Sequence, residues 1–300
     1  MQSLEQLQTQ FALPGALHFE AGAGRLPFAV IQTLQAQARL CLQGAHLVAW
    51  QPAGHRPVIW LSPTAVFAPG QAIRGGIPIC WPWFGTLPQR GAHGFARNRT
   101  WRLRSSAVLD DGSVQLCLQL TDDDQSRALW NHAFTLELDC LIGQNLSLRL
   151  RTLNRDRLPL PITQALHTYL AVGDISQTRV LGLEDCLYQD KLRDFAWDRQ
   201  RGPVTFSAET DRVYADAAES CVIEDLAWQR RIRVAKQGSR STVVWNPWLA
   251  RAAAMSDMPS ESFRDMLCVE TSNAGVDQVM VGVGDEHLIA AQISVEKTRP

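Results

Sequence analysis

Short runs of alternating or uniformly apolar residues recur along this chain, and no other feature restricts its fold as much. The segments "RLCLQGAHLVAW", "PVIWL", "TWRLRSSAVL", "SVQLCLQL", "FTLELDCLI", "NLSLRLRTL", "RIRVAK", "STVVWN" and "LIAAQISV" each read as a strand. In "NLSLRLRTL", Leu146, Leu148 and Leu150 fall on one face and Ser147, Arg149 and Arg151 on the other. That period of two belongs to a sheet buried on one side, so its polar face meets water or a groove. The turns "LDDGS" at 109–113 and "LIGQN" at 141–145 suit hairpins between neighbouring strands. Only "TDDDQSRALWNHA" and "PWLARAAAMSD" offer short helices. So many strands with so few helical periods predict an all-β fold, an antiparallel β-sandwich; a doubly wound α/β fold needs long helices between its strands.

The 300 residues form one expected domain, since large β-sandwiches commonly reach this length. The 29 basic and 30 acidic residues nearly cancel, which leaves no overall field for nucleic acid or an anionic membrane. An anionic ligand must therefore be captured by a local cluster. The amino-terminal "MQSLEQLQTQFALPGALHF" has an early Glu and no unbroken apolar core, so neither a secretory leader nor a membrane span is expected there. The seven cysteines form no CxxC pair, and most lie in apolar runs such as "LCLQL" and "MLCVE". Free, buried thiols and a cytoplasmic location are the expectation.

The stretch "RGGIPICWPWFG" at 74–85, followed by "AHGFARN" at 92–98, is too rich in Gly, Pro and Trp for an ordinary helix or strand. Arg74 and Arg97 flank it, and two guanidinium groups can clamp a phosphate or carboxylate. An arginine merely solvated or packed on tryptophan has the same signature. Trp81, Trp83 and Phe84 fit a core or a groove wall, although flat aromatic faces also suit the C–H face of a sugar. His167 interrupts an apolar strand in "ALHTYLAVGD", and Glu270 ends "DMLCVE" at the expected rim of a buried strand. Either residue alone has a structural explanation; together they offer an acid and a base. Asp211 in "ETDRVY" has Arg212 as an obvious local partner. There is no HExxH, Asp-rich calcium loop, phosphate-binding loop or GxSxG elbow, which leaves cofactor-free proton transfer, glycoside cleavage, elimination or isomerisation.

Taken in order, "RGGIPICWPWFG", "HGFARNRTW", "ALHTYLAVGD", "ETDRVY", "VVWNPW" and "MSDMPSESFRDMLCVE" closely resemble the hexose-6-phosphate mutarotases, or glucose-6-phosphate 1-epimerases, of the aldose 1-epimerase superfamily. The resemblance runs from about residue 20 to the C terminus and is specific because six motifs keep one order. It implies a large β-sandwich of the galactose mutarotase type with a sugar groove on one sheet. It also implies His167 and Glu270 as catalytic residues, Asp211 as a partner of sugar hydroxyls, Arg74 and Arg97 as phosphate ligands, and His93 as a substrate contact. Some relatives carry a polar residue before that histidine where this chain has Ala92, and the loop "TLPQRGAHG" offers Gln89 or Arg90 for the same place. The implied activity interconverts α and β anomers of a hexose 6-phosphate, most simply glucose 6-phosphate. Glu270 as carboxylate and His167 as imidazolium would do this without metal, nucleotide or other cofactor, with Asp211 helping to keep the imidazolium charged. The expected partner is a small hexose phosphate, with no nucleic acid or membrane, and the chain is expected as a monomer or weak dimer. An aldose 1-epimerase acting on unphosphorylated sugars and a non-catalytic sugar-phosphate module are the alternatives.

Overall fold

The computed structural model describes residues 2–298. The alternating segments assemble a nine-stranded antiparallel sheet in the order Val204–Thr205, Thr178–Leu181, Ser220–Asp225, Arg230–Gln237, Glu286–Lys297, Leu146–Asn154, Phe134–Ile142, Val114–Thr121 and Arg102–Val108. In Leu146–Asn154 the three leucines of the alternation are buried and Arg149 and Arg151 are exposed. Arg151 pairs across the register with Glu137, so the outer face carries ion pairs rather than apolar surface.

A second antiparallel sheet runs Ala196–Arg199, Leu187–Asp190, Thr210–Tyr214, Ser241–Asn246, Met266–Asn273, Gln164–Leu166 and Ile79–Cys80, with Tyr169–Ala171 also paired to Met266–Asn273. Leu148, Leu150 and Ile293 of the first sheet share one core with Leu166, Val244 and Leu267 of the second. The two sheets thus form the β-sandwich read from the sequence. A four-stranded sheet from Leu17–Ala21 to His46–Pro52 joins the same core.

Three local expectations need correction. "RLCLQGAHLVAW" is two strands, Ala36–Cys41 and His46–Pro52, because Gly44 turns between them at φ 78°. A Cβ at Gly44 would lie 2.6 Å from the Arg97 carbonyl, so this turn is packed against the backbone that carries Arg97. "PVIWL" makes only the isolated bridges Ile59↔Leu170 and Leu61↔Gly75. Its buried apolar residues serve the core without joining a ladder. Helices form at Asp124–Leu129 and Trp248–Ala253 as read, and a further one spans Leu4–Phe11. That helix is started by a reciprocal cap: Ser3 Oγ accepts from Gln6 N, and Ser3 N donates to Gln6 Oε1. No helix among the described residues is long and apolar enough to cross a membrane.

The stiff segment at 74–85 has a plain physical cause. Trp81 and Trp83 are core residues: Trp81 packs on Phe95, Trp130 and Phe134, and its Nε1 donates to Thr152 Oγ1 at 3.0 Å. Phe84 alone of the three aromatics reaches the groove described below. Gly94 packs its backbone on Trp81, where a Cβ would meet the Trp81 carbonyl oxygen at 1.9 Å, and its φ is +67°. The Gly94→Ala variant is expected to lose about 2 kcal/mol or more of stability, read from chemical denaturation. Parity with the parent would mean that this close approach contributes nothing.

Candidate active site

Strand pairing brings His167 and Glu270 together. Gln164–Leu166 and Tyr169–Ala171 both pair with Met266–Asn273, and His167 lies in the short break between them. Its backbone N–H donates to the Pro78 carbonyl at 3.0 Å, while Thr168 N–H turns back to Leu166 O at 2.9 Å. Glu270 is central in Met266–Asn273, a strand buried at all eight positions, so it lies inside the sheet and not at a rim. It is 1% exposed. His167 Nδ1 stands 3.3 Å from Glu270 Oε1. That is ion-pair range without hydrogen-bond alignment: Nδ1 and the other carboxyl oxygen, Oε2, are enclosed and make no hydrogen bond.

Aromatic rings fix the histidine. Tyr169 stacks on His167 at 4.8 Å between centroids and 9° between planes, and the edge of Trp245 meets both rings. Tyr169 Oη accepts from Arg74 Nη1 at 3.1 Å, and Arg74 Nε donates to Asp257 at 3.2 Å. The loop bearing Arg74 can run so close to its neighbours because of two glycines. A Cβ at Gly75 would lie 2.7 Å from Leu61 Cα, and one at Gly76 would lie 2.4 Å from His46 Nε2. His46 Nε2 in turn donates to the Gly75 carbonyl at 2.8 Å. These glycines permit close backbone approaches.

His167, Glu270, Tyr169, Trp245 and Arg74 open onto one groove of about 740 Å³. Arg74, His93, Arg97, His167, Asp211 and Glu270 line it, as do Phe84, Lys191, Trp245 and Arg251. Arg97 donates to the Ala92 carbonyl at 2.9 Å, while its Nε is enclosed without a partner. His93 takes a left-handed φ of 63°, packs its ring on Phe84 and His167, and accepts from Gly85 N–H through Nδ1 at 3.4 Å. Burial, with the charges of Arg97, Lys191 and Arg74, pushes its pKa down to about 3, so this imidazole is neutral.

Gln89 is the candidate that the fold leaves out. It sits with φ 65° near the tip of the tight hairpin Thr86–Leu87 and Gly91–Ala92, exposed with Arg90, and neither lines the groove. The strained turn sends residues 88–90 into solvent, and Ala92 itself lines the wall. Asp211 is in place, but its partner is Lys191 at 2.7 Å and not Arg212. Strand alternation explains this, because Asp211 and Arg212 point to opposite faces of Thr210–Tyr214. Lys191 was not legible beforehand, since it belongs to a turn whose local sequence has no distinguishing feature. Tyr169 could have been found: two residues after His167 in an extended run, it shares that face.

Electrostatics pulls both partners away from their charged forms in the free groove. Burial pulls the His167 pKa well below 6.5, and His93, Arg97, Arg74 and Lys191 pull the same way. Burial likewise raises Glu270 well above 4.5, with Lys191 opposing and Asp211 adding. Asp211 is ion-paired with Lys191, whose own charge pulls the His167 pKa down. The free groove therefore favours a neutral imidazole beside a protonated carboxyl. The native state keeps a proton on Glu270 that the unfolded chain loses above 4.5, so stability falls as pH rises from there through the folded-state pKa. Glu270→Gln is expected to gain about 1 kcal/mol at pH 7 and nothing near pH 4, measured by urea midpoints. An equal gain at both pH values would contradict this charge state.

A family model described as aldose 1-epimerase matches residues 29–294. The chain belongs to the aldose 1-epimerase family. Within this aldose 1-epimerase set, an Escherichia coli protein provisionally named glucose-6-phosphate 1-epimerase is 40% identical over 275 residues, 91% of each chain. The crystal structure of a provisionally named mutarotase from Salmonella typhimurium matches with a TM-score of 0.89 and 36% identity, covering 96% of both chains. A galactose mutarotase related enzyme from Lactobacillus acidophilus matches at 0.72 with 11% identity, over 90% of this chain and 98% of that one. That last likeness shows a shared fold.

Proposed function

We propose that the protein interconverts the α and β anomers of a hexose 6-phosphate, with glucose 6-phosphate the first substrate to test. The observation that carries this is the placement of an enclosed acid and base, 3.3 Å apart, in a groove that also presents Arg74, Arg97 and Lys191. Proton transfer can open the ring, and the cations suit a phosphate on the same small molecule. The Escherichia coli relative's name points to the same sugar phosphate.

The pair needs to carry only one proton. With Glu270 as carboxylate and His167 as imidazolium, Glu270 takes the anomeric hydroxyl proton while His167 protonates the ring oxygen, and the C1–O bond to the ring opens to the aldehyde. Rotation about C1–C2 exposes the other carbonyl face. Reclosure with reversed roles gives the other anomer and returns the proton. Nδ1 faces Glu270, which leaves Nε2 of His167 for the ring oxygen. A dianionic phosphate would offset the field of Arg74, Arg97 and Lys191 that adds to burial in lowering the His167 pKa, so substrate binding shifts the balance toward the ionised pair. Asp211 serves as a hydroxyl acceptor held in place by Lys191, and Phe84 offers an apolar wall to the sugar's C–H face. The seven cysteines are free thiols, in keeping with a proposed cytoplasmic location.

Polarimetry on freshly dissolved α-glucose 6-phosphate tests the reading. The protein is expected to speed the approach to anomeric equilibrium well beyond the spontaneous rate in the same buffer. A rate equal to that of buffer alone would end it.

A further inference from the structure

The strand that supplies Glu270 supplies a second potential ligand. Cys268 and Glu270 are two residues apart in Met266–Asn273 and so project from the same face. Tyr169 is the register partner of Cys268, which brings the adjoining His167 over the same spot. One side-chain ligand atom each from His167, Cys268 and Glu270 lies within 4.8 Å of the others, and all three residues are buried. Cys268 is fully enclosed and does not line the groove, so its thiol lies under the floor on which the other two open. His167 Nδ1 and Glu270 Oε2 are enclosed without hydrogen-bond partners.

We propose that His167, Cys268 and Glu270 form a binding site for a thiophilic divalent cation such as Zn²⁺ or Cd²⁺, with a remaining coordination position open to the groove. Ion and sugar then exclude each other. One nitrogen, one sulfur and one carboxylate oxygen form a donor set that zinc takes in tetrahedral sites, and it suits neither Mg²⁺ nor Ca²⁺. The 3.3 Å between Nδ1 and Oε1 matches the span of two tetrahedral ligands at about 2.0 to 2.1 Å from zinc. Tetrahedral Zn–S and Zn–N bonds of about 2.3 and 2.0 Å span about 3.5 Å, so the sulfur, within 4.8 Å of the other two ligand atoms, closes onto the same ion with a shift on the order of 1 Å. The proton balance also permits it. The neutral imidazole donates a lone pair, while the thiol and the carboxyl each release a proton as the dication enters. The net charge under Arg74, Arg97 and Lys191 is then unchanged. The site shares two residues with the proposed acid–base pair, yet its existence does not rest on their catalytic role.

Titration with Cd²⁺ alone tests it without reference to activity. The wild type is expected to develop a thiolate-to-cadmium charge-transfer band in the ultraviolet. Cys221→Ser, which removes a buried thiol elsewhere, should keep the band, and Cys268→Ser should lose it. With two protons released, apparent affinity should rise by up to about 100-fold per pH unit below neutrality. Zn²⁺ should inhibit anomer exchange, with EDTA restoring it; Cys268→Ser should keep its metal-free rate within about two-fold and need at least about ten-fold more Zn²⁺. A band that survives Cys268→Ser, or is absent from the wild type, overturns the site. Should Cys268→Ser fail to fold, excess glucose 6-phosphate on the wild type decides the matter: it should erase the band, and a band that persists contradicts a shared site. A protein with the band and no epimerase activity would refute the proposed function and leave the metal site standing.

Discussion

Glu270→Gln and His167→Asn are each expected to lower the catalysed rate of anomer exchange by about 10² to 10⁴-fold, the range that general acid–base catalysis supplies. Both should do so with little change in KM for glucose 6-phosphate, because neither belongs to the proposed phosphate grip. The double variant should be hardly worse than the poorer single one. Two groups 3.3 Å apart that pass one proton between substrate atoms act as a unit, and units lose their function once. Rates proportional to enzyme, with the spontaneous reaction subtracted, supply the comparison. Additive losses, or a single variant at the wild-type rate, would show that the pair does not work together.

Arg97→Ala is expected to raise KM for glucose 6-phosphate by about ten-fold or more and leave kcat nearly unchanged, as loss of one charge-assisted contact should. Its effect on an unphosphorylated aldose should be slight. Arg74→Ala should behave differently. Arg74 holds the hydroxyl of Tyr169, and Tyr169 is the ring stacked on His167, so this variant is expected to lower kcat by several-fold as well as raise KM. Steady-state kinetics on both sugars separates the two effects. If both variants treat glucose 6-phosphate and glucose alike, neither arginine holds a phosphate and the unphosphorylated-aldose reading takes over.

The fold was legible because one face of each long strand must be buried, and the resulting period of two survives in single segments such as "NLSLRLRTL". What escaped was set by turns and by partners distant in sequence. Gly44 divides one apolar run into two strands because its backbone packs against Arg97, and no local pattern announces that. The helix Leu4–Phe11 is short, and its signal is a Ser-x-x-Gln cap rather than a long apolar stripe.

In the groove, the site residues that the resemblance implied gather as a set, and Gln89, offered by the loop before His93, lies outside it. Gln89 stays outside the groove because a left-handed turn, at φ 65°, places it at the exposed hairpin tip. Lys191 and Arg251 were invisible for a related reason: each is an ordinary cation until the sheet brings it to the groove wall. The charge states were the least legible of all. Sequence names an acid and a base, but the direction of each pKa is set first by burial, with the charges of Arg74, His93, Arg97, Lys191 and Asp211 adding or opposing.

Exchange NMR on glucose 6-phosphate and glucose together in one sample is the most direct test of an acid–base pair joined to an anion grip. The expected result is protein-dependent exchange between the anomers of glucose 6-phosphate at low concentration, with glucose exchanging at its buffer rate until much higher concentrations. Equal enhancement of both sugars, or of neither, would contradict it.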